Sequence, residues 1–210
     1  MGAEESVEML KVPLVPQEQP AVAIHRQFCK PRFITLCRKH HYFRPRKSFQ
    51  DASTGKTWFV AWNEAFSNRC WLGNPDNSPV VNYTGGRYNH TTTFFVRPGN
   101  DLDHKECFQI YAAYNYDGSK MYAQVVFADV VTGKRCEVGL DGDWFHRNAI
   151  FWLYRGPTRI REPVARVYNG ASRRNYCIDV APNVDSALIV MMCDIFERLE
   201  SAVTDVMFGK

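Results

Sequence analysis

A dense run of basic side chains near the start of the chain has the residue types and the spacing that bind anions. Residues 21–50 hold no Asp or Glu but eight Lys and Arg residues: Arg26, Lys30, Arg32, Arg38, Lys39, Arg44, Arg46 and Lys47. A basic cluster beside anionic lipid gains about 1 kcal/mol for each Lys or Arg at the surface. Local density is greatest at residues 38–47, so we predict that phospholipid headgroups bind there. The residues concerned are Arg44, Arg46 and Lys47, with Arg38 and Lys39 as helpers.

The same basic run is compatible with two further roles. The cations can lie on solvated strand faces and pair with acids elsewhere in the chain. They can also contact the phosphates of a nucleic acid while the interleaved aromatic residues stack on single-stranded bases. No zinc-finger, RNA-recognition or helix-turn-helix signature accompanies the run, so we do not expect nucleic acid to be the partner.

Lipid docking by this run alone is weak and calls for a second signal. If half of the eight cations face the membrane, they contribute about 4 kcal/mol, which corresponds to millimolar affinity. The first six residues, MGAEES, fit the N-myristoylation pattern, which makes Gly2 the candidate lipidation site. Glu4 and Glu5 would be repelled by an anionic surface, and a chance match to so short a pattern is the alternative.

The seven cysteines are scattered singly, with no CxxC pair among them. The first twenty residues do not resemble a secretory signal, so we predict reduced, mostly buried thiols in a cytosolic protein. Cys29, Cys37, His40 and His41 come closest to a set of metal ligands, but their spacing matches no usual zinc site. We therefore expect neither a metal ion nor a cofactor.

The sequence contains none of the common catalytic motifs. We find no GxSxG, no HExxH, no Walker loop and no GxGxxG. Cysteine and histidine occur together in many chains, and without a local signature they do not indicate a nucleophile and its base. We therefore do not expect an enzyme.

Length and composition indicate one medium-sized globular domain. The chain has 210 residues, of which 45% are hydrophobic and 23% charged, which excludes wholesale disorder. Its formal net charge of +4 is too small to demand a nucleic-acid partner. Residues 1–20 contain three prolines and four glutamates, so we predict a flexible N-terminal arm there and a single domain over residues 21–210.

Alternating apolar and polar residues predict antiparallel strands. Residues 107–114, 121–130 and 175–180 place an apolar side chain at every second position. The stretch 149–154 is apolar throughout, which predicts burial on both of its faces. Turn signals such as NPDNSP at residues 74–79 separate these segments, an arrangement typical of a sandwich or a barrel.

Residues 183–200 follow the spacing of a helix that is apolar on all sides. Asn183 or Asp185 can cap its start. The uncharged run from Ser186 to Cys193 is too short to cross a bilayer, which takes about 20 apolar residues. Since every face of the helix must then be buried in protein, we predict a closed barrel of strands around it.

Several motifs, in this order, resemble the LURP-one-related family of the tubby C-terminal superfamily. Residues 27–31 (QFCKP) resemble its opening FC-x-P signature, and residues 51–59 resemble its D-x-x-G-x-x-x-F hairpin. Residues 181–189 (APNVDSALI) resemble the P-x-V-D-x-A-x-I start of the family's central helix, and this is the most specific match. In a second hairpin Asn77 stands where the family usually has Gly. The resemblance extends from about residue 21 to residue 200.

The resemblance implies a mainly β fold, namely a closed antiparallel barrel of about twelve strands around a buried C-terminal hydrophobic helix. It implies less about function, but together with the basic run it leads us to expect a non-enzymatic binding module that docks on anionic phospholipid, such as phosphoinositide, in signalling or defence. The protein would then be cytoplasmic and peripheral at the inner face of the plasma membrane. The alternative is a protein-interaction or transcription-linked adaptor that binds no lipid. The lipid headgroup, the protein partner, the pathway and the oligomeric state stay open.

Overall fold

Twelve antiparallel strands surround one long helix in the computed structural model. It describes residues 11–40, 46–64, 67–88, 91–100, 105–115, 120–156, 158–170 and 175–208. The strands are β1 Ile34–His40, β2 Lys47–Asp51, β3 Thr57–Asn63, β4 Arg69–Gly73, β5 Pro79–Tyr88, β6 Thr91–Pro98, β7 Phe108–Tyr114, β8 Met121–Ala128, β9 Arg135–Asp143, β10 Asn148–Arg155, β11 Thr158–Asn169 and β12 Tyr176–Val180. A 3-10 turn at Arg26–Phe28 precedes them, and helix α1, Ser186–Phe208, follows them.

Each strand pairs with the next in the chain, and β12 returns to pair with β1. Residue Ile34 lies opposite Val180 at this seam, and Cys37 lies opposite Cys177. The sheet is therefore a closed barrel, and pairing all round its circumference removes exposed strand edges. This confirms the predicted fold class and the expected number of strands.

The predicted alternation decides which side chains fill the barrel. In β7 and β8 the residues at every second position are buried and belong to the core, whereas most of those between them are exposed. In β10 the consecutive residues Ala149, Ile150 and Phe151 are all buried, as their unbroken apolar run predicts. Trp152 and Tyr154 on the same strand are half-buried.

Helix α1 occupies the centre of the barrel. None of residues 187–196 is more than 1% exposed, which confirms that this segment is buried on all sides. Among the described residues, no helix is both long enough and apolar enough to cross a membrane. The strands supply the apolar surroundings that the helix sequence requires.

Asp185 caps the start of α1 and ties it to the chain before β1. Its Oδ1 accepts hydrogen bonds from the backbone N–H groups of Ala187 and Leu188, as an N-cap side chain does. Its Oδ2 accepts three more, from the N–H groups of residues 23, 24 and 25. Burial raises the pKa of this carboxyl to about 6, against the opposing effect of the N–H donors. Of the two predicted caps, Asp185 takes the role.

Part of the predicted N-terminal arm lies against the barrel. Leu14 and Gln17 are buried, and the N–H of Val15 donates to the carbonyl of Pro163 at 2.7 Å. The N–H of Gln17 donates to the carbonyl of Pro182 at 3.1 Å. Residues 14–17 thus differ from the expected flexible segment because they bury an apolar side chain and satisfy backbone hydrogen bonds. Residues 1–10, with Gly2, lie outside the described residues.

A disulfide joins Cys37 to Cys177 across the β1–β12 seam, where the two Cα atoms are 4.2 Å apart. The prediction of reduced thiols was wrong for this pair. The two residues are 140 positions apart, and only the strand register places them opposite each other. Among the remaining described cysteines, Cys29, Cys70, Cys107, Cys136 and Cys193 are free thiols, of which Cys107 is exposed.

Candidate functional site

Two of the five predicted headgroup ligands form ion pairs with carboxylates of α1. Nε of Arg38 lies 3.0 Å from Oε1 of Glu197, and the Arg38 side chain is only 8% exposed. Nζ of Lys47 lies 2.7 Å from Oδ1 of Asp194 and 2.6 Å from Oε2 of Glu197. The structure thus follows, for these two residues, the alternative in which basic strand residues pair with acids elsewhere in the chain.

Asp194 is the centre of this ion-pair network. Its carboxylate is fully buried and also accepts hydrogen bonds from Nε of Arg198 and from the hydroxyl of Tyr83. Burial by itself would raise the pKa of Asp194, but the Lys47 and Arg198 cations hold it well below its usual range. Burial also raises the pKa of Tyr83 well above its ordinary value, so the phenol keeps its proton and donates. The network anchors α1 inside the barrel.

The other predicted ligands are spread over different surroundings. Lys39 is exposed on β1, and Arg46 is exposed directly before β2. Nη1 of Arg46 donates to Oδ1 of Asn77 at 2.6 Å. Asn77 has a φ of 69°, a left-handed conformation that explains why Gly suits this position and why Asn is the usual substitute. Arg44 and Gly2 lie outside the described residues.

Three tryptophans lie on β3 and β4, where Trp58 and Trp62 are half-buried and Trp71 is buried. Phe59 and Ala61 of β3 point into the core, so Trp62 points outward by strand alternation. Trp58 lies beside an irregularity in the β2–β3 pairing, and its half-buried ring packs against the edge of the core. The Trp62 ring stacks on Trp71 of β4, with ring centroids 6.0 Å apart and an interplanar angle of 9°. Gly73 makes room for this stack, because a Cβ there would lie 2.6 Å from the Trp62 ring.

Each of these rings carries a cation. Nζ of Lys30 lies 5.3 Å from the centroid of Trp58. The guanidinium carbon of Arg46 lies 5.8 Å from the Trp62 ring, and that of Arg69 lies 5.4 Å from the Trp71 ring. We refer to these six residues as the tryptophan–cation face: Lys30, Arg46, Trp58, Trp62, Arg69 and Trp71.

The cations of this face are not balanced by acidic side chains in the described part of the chain. Among the residues that the structure describes, Lys30, Arg46 and Arg69 have no Asp or Glu within ion-pair distance. This separates them from Arg38 and Lys47, whose charges are balanced by α1. An outward wall of indole rings and unbalanced cations can bind an anionic surface.

Sequence reasoning missed most of this face. Lys30 belongs to the basic run but not to its densest part, and Arg69 lies outside the run. The sequence did contain an indication of this face, since Trp58 and Trp62 are four positions apart and share the polar side of an alternating strand. Large aromatic residues on the side opposite the core indicate a surface with a binding role.

The described residues offer little for metal-dependent chemistry. Within the described ranges, no three His, Cys, Asp or Glu side chains come together as ligands of one ion would. The buried Asp194 and Tyr83 and the half-buried Lys47 form a connected polar group, but each is committed to holding α1.

Comparison with known proteins agrees with the fold and identifies the family. A model of the LURP-one-related family matches residues 34–197. Among solved structures, an X-ray structure of a protein from Arabidopsis thaliana is similar, with a TM-score of 0.60 and 19% sequence identity over 86% of this chain and 99% of that chain. No curated protein sequence matches the chain. The solved structure supports the fold alone, whereas the family model spans most of the sequence, and the chain therefore belongs to the LURP-one-related family.

Proposed function

We propose that the protein is a non-enzymatic binding module that docks on anionic phospholipid membranes through the tryptophan–cation face. The family and the barrel fold fit a binding module. The observation that carries the lipid proposal is the coincidence of outward indole rings with cations that lack acidic partners among the described residues. Tryptophan favours the boundary between lipid and water, because its ring is apolar and its N–H is polar.

The affinity expected of this face is modest. Lys30, Arg46 and Arg69, with the neighbouring cations Arg32 and Lys56, would contribute about 5 kcal/mol if all contacted anionic lipid. That free energy corresponds to a dissociation constant between millimolar and micromolar. Docking would be reversible, and the predicted acyl chain on Gly2 would strengthen it.

The proposal narrows the set of headgroup ligands predicted from the sequence. Arg46 belongs both to that set and to the face, and Lys39 and Arg44 stay proposed contacts. Arg38 and Lys47 would take part only by giving up their pairs with α1, which makes them the least favourable of the five. Docking of this kind would place the protein in the cytoplasm, at the inner face of the plasma membrane.

Vesicle co-sedimentation tests the proposal. The double variant R46E/R69E reverses two charges of the face, and K134E/R135E is a matched control. Both control residues are exposed at the start of β9, six strands away from β3 around the barrel. We expect the wild type and the control to sediment with vesicles containing phosphatidylserine or phosphoinositide, and R46E/R69E to bind at least tenfold more weakly. Absence of binding to any anionic vesicle, or equal loss in both variants, would contradict the proposal.

A protein-interaction adaptor is the second candidate function. The observation that favours it is an aromatic and aliphatic patch on the outer wall of β7 and β8, where Tyr111 is 48%, Tyr122 46% and Val126 37% exposed. Partners captured by the wild type but lost in a Y111S/Y122S variant, and retained at high salt, would favour the adaptor. Lipid docking by cations should instead fade as salt rises.

A further inference from the structure

The disulfide between Cys37 and Cys177 lies on the outer wall of the barrel, within reach of solvent. Leu36 and Ile178, which are neighbours of the two cysteines along the strands, are fully buried, so strand alternation turns both cysteine side chains outward. Both cysteines are half-buried. A small thiol can therefore reach the bond while the barrel stays folded, whereas a disulfide inside a core is reached only through unfolding.

The surroundings of the bond on the outer wall are polar and aromatic. Gln50 of β2 lies opposite the first cysteine and Tyr168 of β11 lies opposite the second, and both side chains are half-buried. On the same face, Oγ1 of Thr35 donates a hydrogen bond to Oδ1 of Asp179 at 2.7 Å. The bond thus lies outside the apolar core, and breaking it removes no core side chain from its place.

The bond holds one end of the seam that closes the barrel. Strands β1 and β12 pair at four positions, from Ile34 opposite Val180 to Cys37 opposite Cys177. The cysteine pair is the last of these four, and from Arg38 onward β1 pairs with β2 alone among the described strands. Strand ladders open locally from their ends, so the covalent bond lies where the seam would open first.

The side chains behind this end of the seam belong to the anchor of α1. Arg38 directly follows the first cysteine and pairs with Glu197 of the helix. Tyr176 directly precedes the second cysteine, is 1% exposed, and has its ring centroid 5.7 Å from that of Trp144. Opening of the seam at this end would admit water to both contacts, which couples the state of the bond to the way the helix is held.

We propose that the disulfide is a redox switch that closes and opens one end of the β1–β12 seam in the folded protein, with a small thiol such as glutathione as its reductant. Pairing of the other strands keeps the barrel folded when the bond is broken. Membrane docking is not required for this switch, so the two proposals stand or fall separately.

The chemistry is thiol–disulfide exchange. The thiolate of one glutathione attacks a sulfur of the bond, which gives a mixed disulfide and releases the other cysteine. A second glutathione thiolate then displaces the remaining cysteine. Two electrons and two protons pass to the protein, so two glutathione thiols become one glutathione disulfide while two cysteine thiols form. Excess glutathione disulfide reverses both steps.

Thiol counting by intact mass tests whether the bond is reduced in the folded state. The full chain is incubated with reduced glutathione without denaturant, its thiols are blocked with N-ethylmaleimide, and peptide mapping locates them. We expect two further thiols, at Cys37 and Cys177, and their loss when glutathione disulfide is added. The variant C37S/C177S should gain none. A bond that resists glutathione until denaturant is present, or that does not re-form, would overturn the proposal.

Hydrogen–deuterium exchange of the wild type in its two redox states tests the opening of the seam. We expect the backbone amides of residues 34–40 and 176–180 to exchange about tenfold faster or more after reduction. Strand β7, six strands away from β1, is the internal control and should exchange at the same rate in both states. Equal exchange at the seam in both states would overturn the switch, and so would faster exchange in every strand, because the bond would then serve global stability alone.

Discussion

Asp194 is a charged side chain that the barrel can bury only because two cations and a phenol surround it. Breaking a buried ion pair by removing the charge of one partner typically costs about 3–5 kcal/mol, because the remaining charge loses its compensation. The exposed pair of Arg161 and Asp141 offers the opposite case, since both side chains are more than two-fifths exposed. Pairs of that kind contribute about 0–1 kcal/mol.

We therefore predict that Asp194→Asn lowers the free energy of unfolding by about 3 kcal/mol or more. Lys47 and Arg198 would each lose a buried carboxylate partner, while the volume of the side chain stays the same. Chemical denaturation followed by circular dichroism measures the change. Asp141→Asn is the control and should change the free energy by less than about 1 kcal/mol. Equal effects of the two substitutions would show that the network does not hold α1.

Single residues show how far a sequence can indicate a site. The density of Lys and Arg at residues 38–47 is visible in the sequence, but the partners of each cation are not. Arg38 meets Glu197 only because β1 lies beside α1 in the folded barrel, 159 positions away along the chain. The register and packing of the strands therefore decide whether a cation faces solvent or a carboxylate. Counting the charges in the sequence does not show this.

At the scale of the elements, α1 and the strands depend on each other. The helix has no polar face to turn toward water over residues 187–193, and the inner faces of the strands are apolar in turn. Neither part can bury its surface without the other, so the barrel should unfold as one cooperative unit.

We predict that Leu188→Asp prevents stable folding. Leu188 is 1% exposed in the centre of the barrel, and an unpaired carboxylate there costs several kcal/mol, comparable with the whole stability of many domains. Ser201→Asp, on the exposed side of the same helix, is the control. Thermal melting compares the two variants, and a Leu188→Asp protein that melts with the wild type would place this helix outside the barrel.

The disulfide between β1 and β12 also stabilises the arrangement of the elements, since it links the first and last strands, whose pairing closes the barrel. Its loop of 140 residues predicts that the double variant C37S/C177S loses about 5 kcal/mol under oxidising conditions. Under reducing conditions the variant and the wild type should melt together. Cys107→Ser, a free exposed thiol, should match the wild type in both. A variant as stable as the oxidised wild type would contradict the stabilising role of the bond.

The elements themselves were largely predictable, because their causes are local. Alternation over residues 107–114 and 121–130 is a property of neighbouring residues, and so is the apolar run from residue 186 to residue 193. The pairing of Cys37 with Cys177 and the docking of residues 14–17 depend on contacts between distant segments. Contacts between distant segments cannot be seen in a local sequence pattern. The expectations of reduced thiols at Cys37 and Cys177 and of a flexible arm at residues 14–17 therefore differed from the structure.

At the scale of the whole molecule, two groups of cations have different roles. The cations that point inward balance the carboxylates of α1 and hold the barrel together. The cations on the outer wall of β3 and β4 lie on indole rings and lack acidic partners among the described residues. The proposed docking requires only the second group, so binding and stability should respond to different substitutions.

Quenching of tryptophan fluorescence by vesicles with brominated acyl chains tests most directly whether this wall meets the membrane. Trp71 and Trp144 are buried and Trp152 lies on β10, six strands from β4, whereas Trp58 and Trp62 lie half-buried on the face. We predict quenching with anionic brominated vesicles at low salt, its loss at high salt as cations are screened, and little quenching in a W58F/W62F variant that still sediments. Sedimentation of the wild type with anionic vesicles and no quenching, or undiminished quenching in that variant, would show that another surface docks.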